Sequence, residues 1–336
     1  MQTLNITKHL TRLSLVLFAL ITFIPSKVSA QDPHFTQFYA SPMYLNPAFA
    51  GTSRCPRFIM NFRDQWPGLS GMYVTYMASY DQHVDALQGG LGLIILNDRQ
   101  GYGTINATRA SGIYSYQLRV NRNFSMKFGL EATFFQKSLD WTKLTFGDQI
   151  DDRYGFVYNT SELQPDKTST MGVDFSAGIL GYGKKFFFGA AAHHLTQPEE
   201  TLIGGNSRLP MKLTAHAGGL IYFNDRKPDE GYFSPNILFM YQAPKFGELN
   251  LGAYVSKGPI VGGMWYRYSG ISDSNSDAVI LLIGLHSDVF KIGYSYDVTV
   301  SKLATDSYGS HEISLGVQFD CRPKRRKIRA ISCPSF

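Results

Sequence analysis

Residues 124–137 read FSMKFGLEATFFQK. Phe124, Met126, Phe128, Leu130, Ala132 and Phe134 share one phase; Ser125, Lys127, Gly129, Glu131, Thr133 and Lys137 share the other, and the pattern breaks at Phe135 and Gln136. Period two is the signature of a strand with one face in an apolar medium. It recurs in 173–179, 290–298 and 312–320, where Val173, Phe175, Ala177 and Ile179, then Phe290, Ile292, Tyr294, Tyr296 and Val298, then Ile313, Leu315, Val317 and Phe319 form the apolar phase. That phase carries no charge in any of the four. The polar phase mixes charges with Gly and Ser, which weaken a water-facing strand but suit the crowded polar lumen of a membrane barrel. A lipid-facing Lys or Arg at mid-bilayer costs ~2–4 kcal/mol, enough to keep it out of the apolar phase.

The same reading gives fourteen strands: 57–66, 72–81, 88–97, 104–118, 123–138, 171–182, 184–195, 211–224, 232–243, 248–257, 259–269, 278–287, 289–299 and 310–320. Phase is ambiguous in 184–195, 232–243 and 278–287. Alternate gaps are short, while the intervening gaps include 139–170 and 196–210, the habit of outer-membrane barrels. Tyr114, Tyr116, Tyr266 and Tyr268 near strand ends fit interfacial girdles. The expected fold is all-β, a transmembrane antiparallel barrel of about 14 strands. An even count returns the C-terminus to the side of the N-terminus, taken as the periplasm.

Ahead of the strands, Lys8 and Arg12, an apolar run over 13–24, and Val28-Ser29-Ala30 have the layout of a secretory signal peptide. The run is too short for a helical span of roughly 17–25 residues. With Gln31 as the mature start, the expected divisions are 1–30 signal peptide, 31–55 N-terminal segment, 56–320 barrel and 321–336 tail. The chain's formal charge of +6 loses Lys8, Arg12 and Lys27 with the leader. All remaining positive excess lies in the tail, on Arg322, Lys324, Arg325, Arg326, Lys327 and Arg329. The near-neutral body argues against nucleic acid. The tail could bind an acidic periplasmic partner, anionic headgroups, or nothing. Of the three cysteines, Cys321 and Cys333 are expected to pair in an oxidising compartment, leaving Cys55 over.

Segment 31–51, QDPHFTQFYASPMYLNPAFAG, has neither strand alternation nor a helical stripe. Phe35, Phe38, Tyr39, Met43, Tyr44, Leu45 and Phe49 need cover, and the nearest cover is the barrel's own lumen. The segment is therefore expected to fold inward as a plug rather than remain disordered, since disordered segments are poor in aromatics. Pro47 biases Asn46 towards extended geometry, and Gly51 permits the turn into the wall.

This segment, RDQWPGL at 63–69, the 139–162 stretch containing GDQID and GFVYNTSE, and the terminal CPSF together resemble the PorP/SprF family. These are outer-membrane proteins of the type IX secretion and gliding-motility machinery of Bacteroidetes. The resemblance implies a non-enzymatic role without cofactor. It implies a fourteen-stranded barrel of the fatty-acid-transporter type, with an N-terminal plug bearing a similar Asn-Pro-Ala. Some family members partner a large surface adhesin, needed for its export or retention; others associate with periplasmic components of the motor complex. The motif positions carried over are Gln31, Asp32, Gln37, Asn46, Pro47, Ala48, Gly51, Arg63, Gln65 and Trp66. In the 139–170 loop, Trp141, Phe146, Asp148, Tyr154, Phe156 and Tyr158 offer a contact surface of the aromatic kind interfaces prefer.

Signals of other chemistry are weak. His193 and His194 are adjacent; on a strand one ring faces the lumen and the other faces out, and no third ligand stands at a metal spacing. Asp148, Asp151 and Asp152 form either a calcium-type cluster or a solvated loop. Two functions stay open: a secretion barrel that holds a protein client, and a transporter of hydrophobic small molecules with the plug as gate.

Overall fold

The computed structural model describes residues 32–69, 73–202, 207–227, 230–242, 246–269, 277–287, 289–300 and 308–319. The expected leader, Gln31 and the basic tail lie outside them. The wall consists of β1 (Arg57–Gln65), β2 (Tyr73–Val84), β3 (Gly89–Gln100), β4 (Ile105–Arg119), β5 (Ser125–Leu139), β6 (Ser169–Tyr182), β7 (Phe186–His193), β8 (Lys212–Gly219, continued by Ile221–Tyr222), β9 (Tyr232–Gln242), β10 (Phe246–Lys257), β11 (Ile260–Tyr268), β12 (Ala278–His286), β13 (Phe290–Thr299) and β14 (Ser310–Gln318). Each strand is antiparallel to both neighbours, and β1 pairs with β14 from Arg57↔Gln318 to Gln65↔Ser310, so the sheet closes on itself. The result is a closed fourteen-stranded barrel of the outer-membrane kind. Closure leaves every strand a partner on both sides, the condition for a sheet in hydrocarbon.

The alternation of the sequence is realised inside out. In β5, Phe128, Leu130 and Phe134 are exposed while Ser125, Lys127 and Thr133 are buried; Leu130 is 64% exposed and Lys127 0%. The same holds for Leu91, Leu93 and Ile95 of β3 and for Leu281, Ile283 and Leu285 of β12, all of which point outward. Tyr114 and Tyr116 mark one end of the outer face and Tyr266 and Tyr268 the other, all exposed. No helix among the described residues is long and apolar enough to cross a membrane.

All fourteen expected strands form, with boundaries shifted by up to three residues. The three of ambiguous phase have an apolar inner face as well: Phe187, Leu238, Met240, Ile280 and Leu282 are buried and join one cluster with Phe38, Tyr39, Leu45 and Phe49 of the N-terminal segment. The two longest connections, 140–168 and 194–211, emerge at the same end of the barrel.

Candidate functional site

Segment 32–51, whose sequence shows neither a strand nor a helix pattern, forms three short helical turns. It folds as a 3-10 turn over Phe38–Ala40, a short helix α1 over Pro42–Leu45 and a second 3-10 turn over Pro47–Phe49. Pro42 and Pro47 each open a turn, where a missing N–H costs nothing. Extended backbone survives at Asn46 (φ −158°, ψ 120°), the residue before Pro47. Phe35, Phe38, Tyr39, Met43, Leu45 and Phe49 are all buried.

The segment is bonded to inward-facing wall groups along its length, most densely in four clusters; outside these the Leu45 carbonyl accepts from Thr214 at 3.2 Å. At the first, the N–H groups of Thr36 and Gln37 donate to the Glu312 carboxylate at 2.6 and 3.2 Å. Thr36 Oγ1 donates to Asp297 at 2.9 Å, and the Gln37 amide donates to the Glu312 carbonyl at 2.9 Å and accepts from Ser314 at 2.6 Å. Arg63 from β1 bonds Asp297 at 3.0 Å, stands 3.4 Å from Glu312 and donates to Thr36 Oγ1; Arg267 from β11 bonds Asp297 at 3.2 Å.

At the second, Asn46 is fully buried. Its Oδ1 accepts from Ala48 N at 2.9 Å, and its Nδ2 donates to the carbonyls of Ile179 (2.9 Å) and Ala190 (3.3 Å) on β6 and β7. Wall glycines make this approach possible. A Cβ at Gly129 would stand 2.2 Å from Ala48 N, and one at Gly178 2.1 Å from Asn46 Oδ1. At the third, the Ala50 carbonyl accepts from Ser115 at 2.7 Å and from Lys127 Nζ. Gly51, at φ +67°, donates its N–H to Asp81 at 2.7 Å, and Asp81 is held by both Nε and Nη2 of Arg57.

The fourth centres on Asp32, which takes Arg109 at 3.0 Å, His194 Nε2 at 2.6 Å and Lys212 at 3.3 Å. His194 Nδ1 lies 2.6 Å from Asp174, while Glu200 from the 194–211 connection bonds Arg109 and Lys137 at 3.1 and 3.0 Å. Burial pulls the His194 imidazole down, but the Asp32 and Asp174 carboxylates outweigh it and raise its pKa to about 9. Burial likewise pushes Asp32 up, and the charges of His194, Lys212 and Arg109 overcome it, holding the carboxyl well below its usual range. Adjacent rings therefore do not split between lumen and exterior as expected of His193 and His194; both are buried. His194 lies past the end of β7 with φ +58°, which takes it out of the strand's alternation and turns it inward.

Of the motif residues, Asp32, Gln37, Asn46, Ala48, Gly51 and Arg63 are thus gathered on the segment and the wall it touches, with Pro47 opening its second turn. Gln65 and Trp66 stand instead at the end of β1, where Trp66 N–H donates to Gly309 at 3.0 Å and its ring meets Tyr73 edge-on. Sequence reasoning missed Glu312, Asp297, Arg267, Asp174 and Arg109 as partners. The available signal was charge on an inward phase, which demands a counter-charge.

Connection 140–168 carries a two-residue pairing, Ile150–Asp151 with Gly155–Phe156. Trp141 packs on Phe146 with centroids 4.9 Å apart, while Tyr154 (71%), Phe156 (60%) and Tyr158 (56%) stand exposed. Asp148 accepts from Thr160 and Ser161, and Asp151 from Tyr158 Oη and the N–H groups of Arg153 and Tyr154. These carboxylates brace the loop with its own donors. Among the described residues no group of three or more His, Cys, Asp or Glu side chains could hold a metal ion.

Cys55 is disulfide-bonded, so it is not the thiol left over. Cys321 and Cys333, the pair expected from the sequence, lie outside the described residues.

A family model described as type IX secretion system membrane protein PorP/SprF matches residues 27–317. No curated protein matches the chain. Among solved structures, a TodX deltaS2S3 mutant monoaromatic hydrocarbon channel is similar at 10% identity and a TM-score of 0.47, over 82% of this chain and 92% of that one. A Pseudomonas aeruginosa FadL homologue is similar at 12% identity and 0.45, over 84% and 94%. The Acinetobacter baumannii outer membrane protein Omp33 is similar at 8% and 0.43, over 80% and 100%.

Proposed function

The chain belongs to the PorP/SprF family of type IX secretion system membrane proteins, and from that premise we propose that it is a closed outer-membrane scaffold that holds a secreted, adhesin-like client at the cell surface. The observation that carries this reading is the bonding of segment 32–51. Its contacts reach β1, β2, β4, β5, β6, β7, β8, β13 and β14. A segment tied to wall strands that far apart is a brace across the lumen, a plug that shuts the barrel. A gate for small molecules needs one weakly held side; towards β9–β12, where it makes few hydrogen bonds, the segment packs Phe38 and Tyr39 against Leu238, Tyr254, Trp265 and Ile280, and His34 stands 3.3 Å from Glu248.

In this reading the exposed aromatics of 140–168 face outward from the cell and contact the client. The divisions 31–55 as plug, 56–320 as barrel and 321–336 as tail follow, with both termini in the periplasm. The basic residues 322–329 dock other type IX or motor components there, an electrostatic attraction that weakens with salt. The test is removal of 141–167 in the native host. Client display should be lost while the barrel still inserts in the outer membrane. Display that survives the deletion, together with ion or lipid passage through the purified protein, overturns the reading in favour of a transporter.

A further inference from the structure

β6 is paired with β5 along its whole length, from Ser138↔Ser169 to Ser125↔Tyr182. With β7 it pairs only from Ala177↔Ala192 to Tyr182↔Phe187. One further bond, Leu195 N–H to the Phe175 carbonyl at 3.0 Å, closes the seam above. There His194 turns inward, clasped by Asp32 and Asp174. Thr196 Oγ1 donates to Asp174 at 2.7 Å and weakly to the Val173 carbonyl at 3.5 Å. Beyond that point, among the described residues, β6 has no neighbouring strand on its β7 side.

The direction of its main-chain groups follows from two bonds. Leu139 N–H donates to the Thr168 carbonyl, so the even-numbered residues of β6 face β5. The Phe175 carbonyl accepts from Leu195, so the odd-numbered residues face the other way. Ser169 and Met171 therefore present both N–H and C=O to the vacant side, and Val173 its N–H. No described residue bonds them there.

Height matters, because an open edge is forbidden in hydrocarbon and tolerated in water. Met171 is opposite Gln136, which is opposite Thr108, itself hydrogen-bonded to Asn97. These outward side chains are polar. Two residues lower, Val173 is opposite Phe134 and Ala110 follows it, so the apolar band ends between the two levels. The free edge starts at that boundary with the Val173 N–H and rises from there, through Met171 and Ser169, into water.

Natural edge strands are blunted by Lys, Pro, bulges or a covering loop. Residues 169–173, Ser-Thr-Met-Gly-Val, contain no charge and no proline, and Met171 is 66% and Val173 53% exposed. We propose that this edge of β6 is a docking site for an extended segment of a partner polypeptide, which adds as a strand through main-chain bonds to Ser169, Met171 and Val173. Its occupant is an uncharged, β-prone stretch, apolar on the side flanking Met171 and Val173. The proposal deepens the client-holding reading and rests on it.

The test uses the full-length protein in detergent, alone and with the surface protein that remains bound to it when the native outer membrane is solubilised. Residue-resolved amide exchange of the protein alone should find Met171 at least a hundredfold faster than its neighbour Gly172, which is bonded to β5. With the client bound, Ser169, Met171 and Val173 should become protected. Met171→Pro removes one edge donor without touching the β5 ladder and should weaken retention at least tenfold. Met171→Val should retain the client as the wild type does, and Met171→Lys should weaken it by placing a charge at the edge. If Met171 is already protected in the isolated monomer, or if the client binds while these amides stay fast and Met171→Pro retains it fully, the edge site is overturned and the client-holding reading stands. If the protein instead self-associates and Met171→Pro makes it monomeric, the occupant is a second copy and the proposal fails. A wild-type protein that retains no surface protein overturns both.

Discussion

From one buried amide Asn46 donates to two wall carbonyls, accepts from its own turn and stands 3.3 Å from His216 Nε2. Asn46→Ala leaves the buried Ala48 N–H without its acceptor and removes the second donor of the Ile179 and Ala190 carbonyls; it should cost about 1–3 kcal/mol for the unsatisfied N–H, read as a lower melting temperature in detergent. Asn46→Asp should be worse despite its matching shape, because a carboxylate would face two carbonyl oxygens. His194 gives a pH signature. Its pKa is raised in the fold to about 9, from ~6.5 in an unfolded chain. Its contribution is complete below about pH 6.5 and is lost as pH rises through about 9. Asp32 has the opposite sign: its pKa is depressed, so its contribution is present above ~3.9 and lost as pH falls. Melting temperature should therefore fall on the alkaline side in the wild type, and His194→Gln should flatten that decline. A decline of equal steepness in the variant would refute the role given to His194.

At the level of elements, the strands were legible because lipid enforces a rule that water does not: one phase must be wholly apolar. β5 and β14 obey it, and their alternation alone placed them. β7, β9 and β12 resisted reading because Phe187, Leu238 and Ile280 face inward onto Phe38, Tyr39 and Phe49, partners more than a hundred residues away in sequence. The inward glycines looked like filler for a crowded lumen; they are the surface on which 46–51 lies. That distinction is testable within one barrel. Gly129→Val should displace the Asn46 turn and lower stability, since its Cβ meets Ala48 N at 2.2 Å, whereas Gly112, with nothing within 4 Å of its Cβ, should accept valine unchanged. Thermal melts of the two variants decide it, and equal losses would deny the close packing a role. The charged clasp around Asp32 was not legible, because His194 leaves the strand's alternation through a single positive φ that sequence does not announce.

For the molecule as a whole, two buried charge clusters, around Asp297 and around Asp32, sit on the N-terminal segment and opposite parts of the wall. Buried ion pairs add little net stability compared with apolar packing, but breaking one is costly. Their effect here is to make one seating of the segment much better than any other. Arg63→Ala, which exposes Glu312 and Asp297 to each other, should therefore cost about 3–5 kcal/mol in a chemical denaturation of the folded barrel. In the proposed function the N-terminal segment, the closed ladder and the aromatic loop make a rigid plate in the membrane that presents one surface, and the central claim of that reading is that the lumen is shut. Single-channel recording of the purified full-length protein in planar bilayers tests that most directly. The account predicts no sustained conductance at moderate voltage in either polarity; a steady ohmic current of porin size from the intact wild-type chain would contradict it.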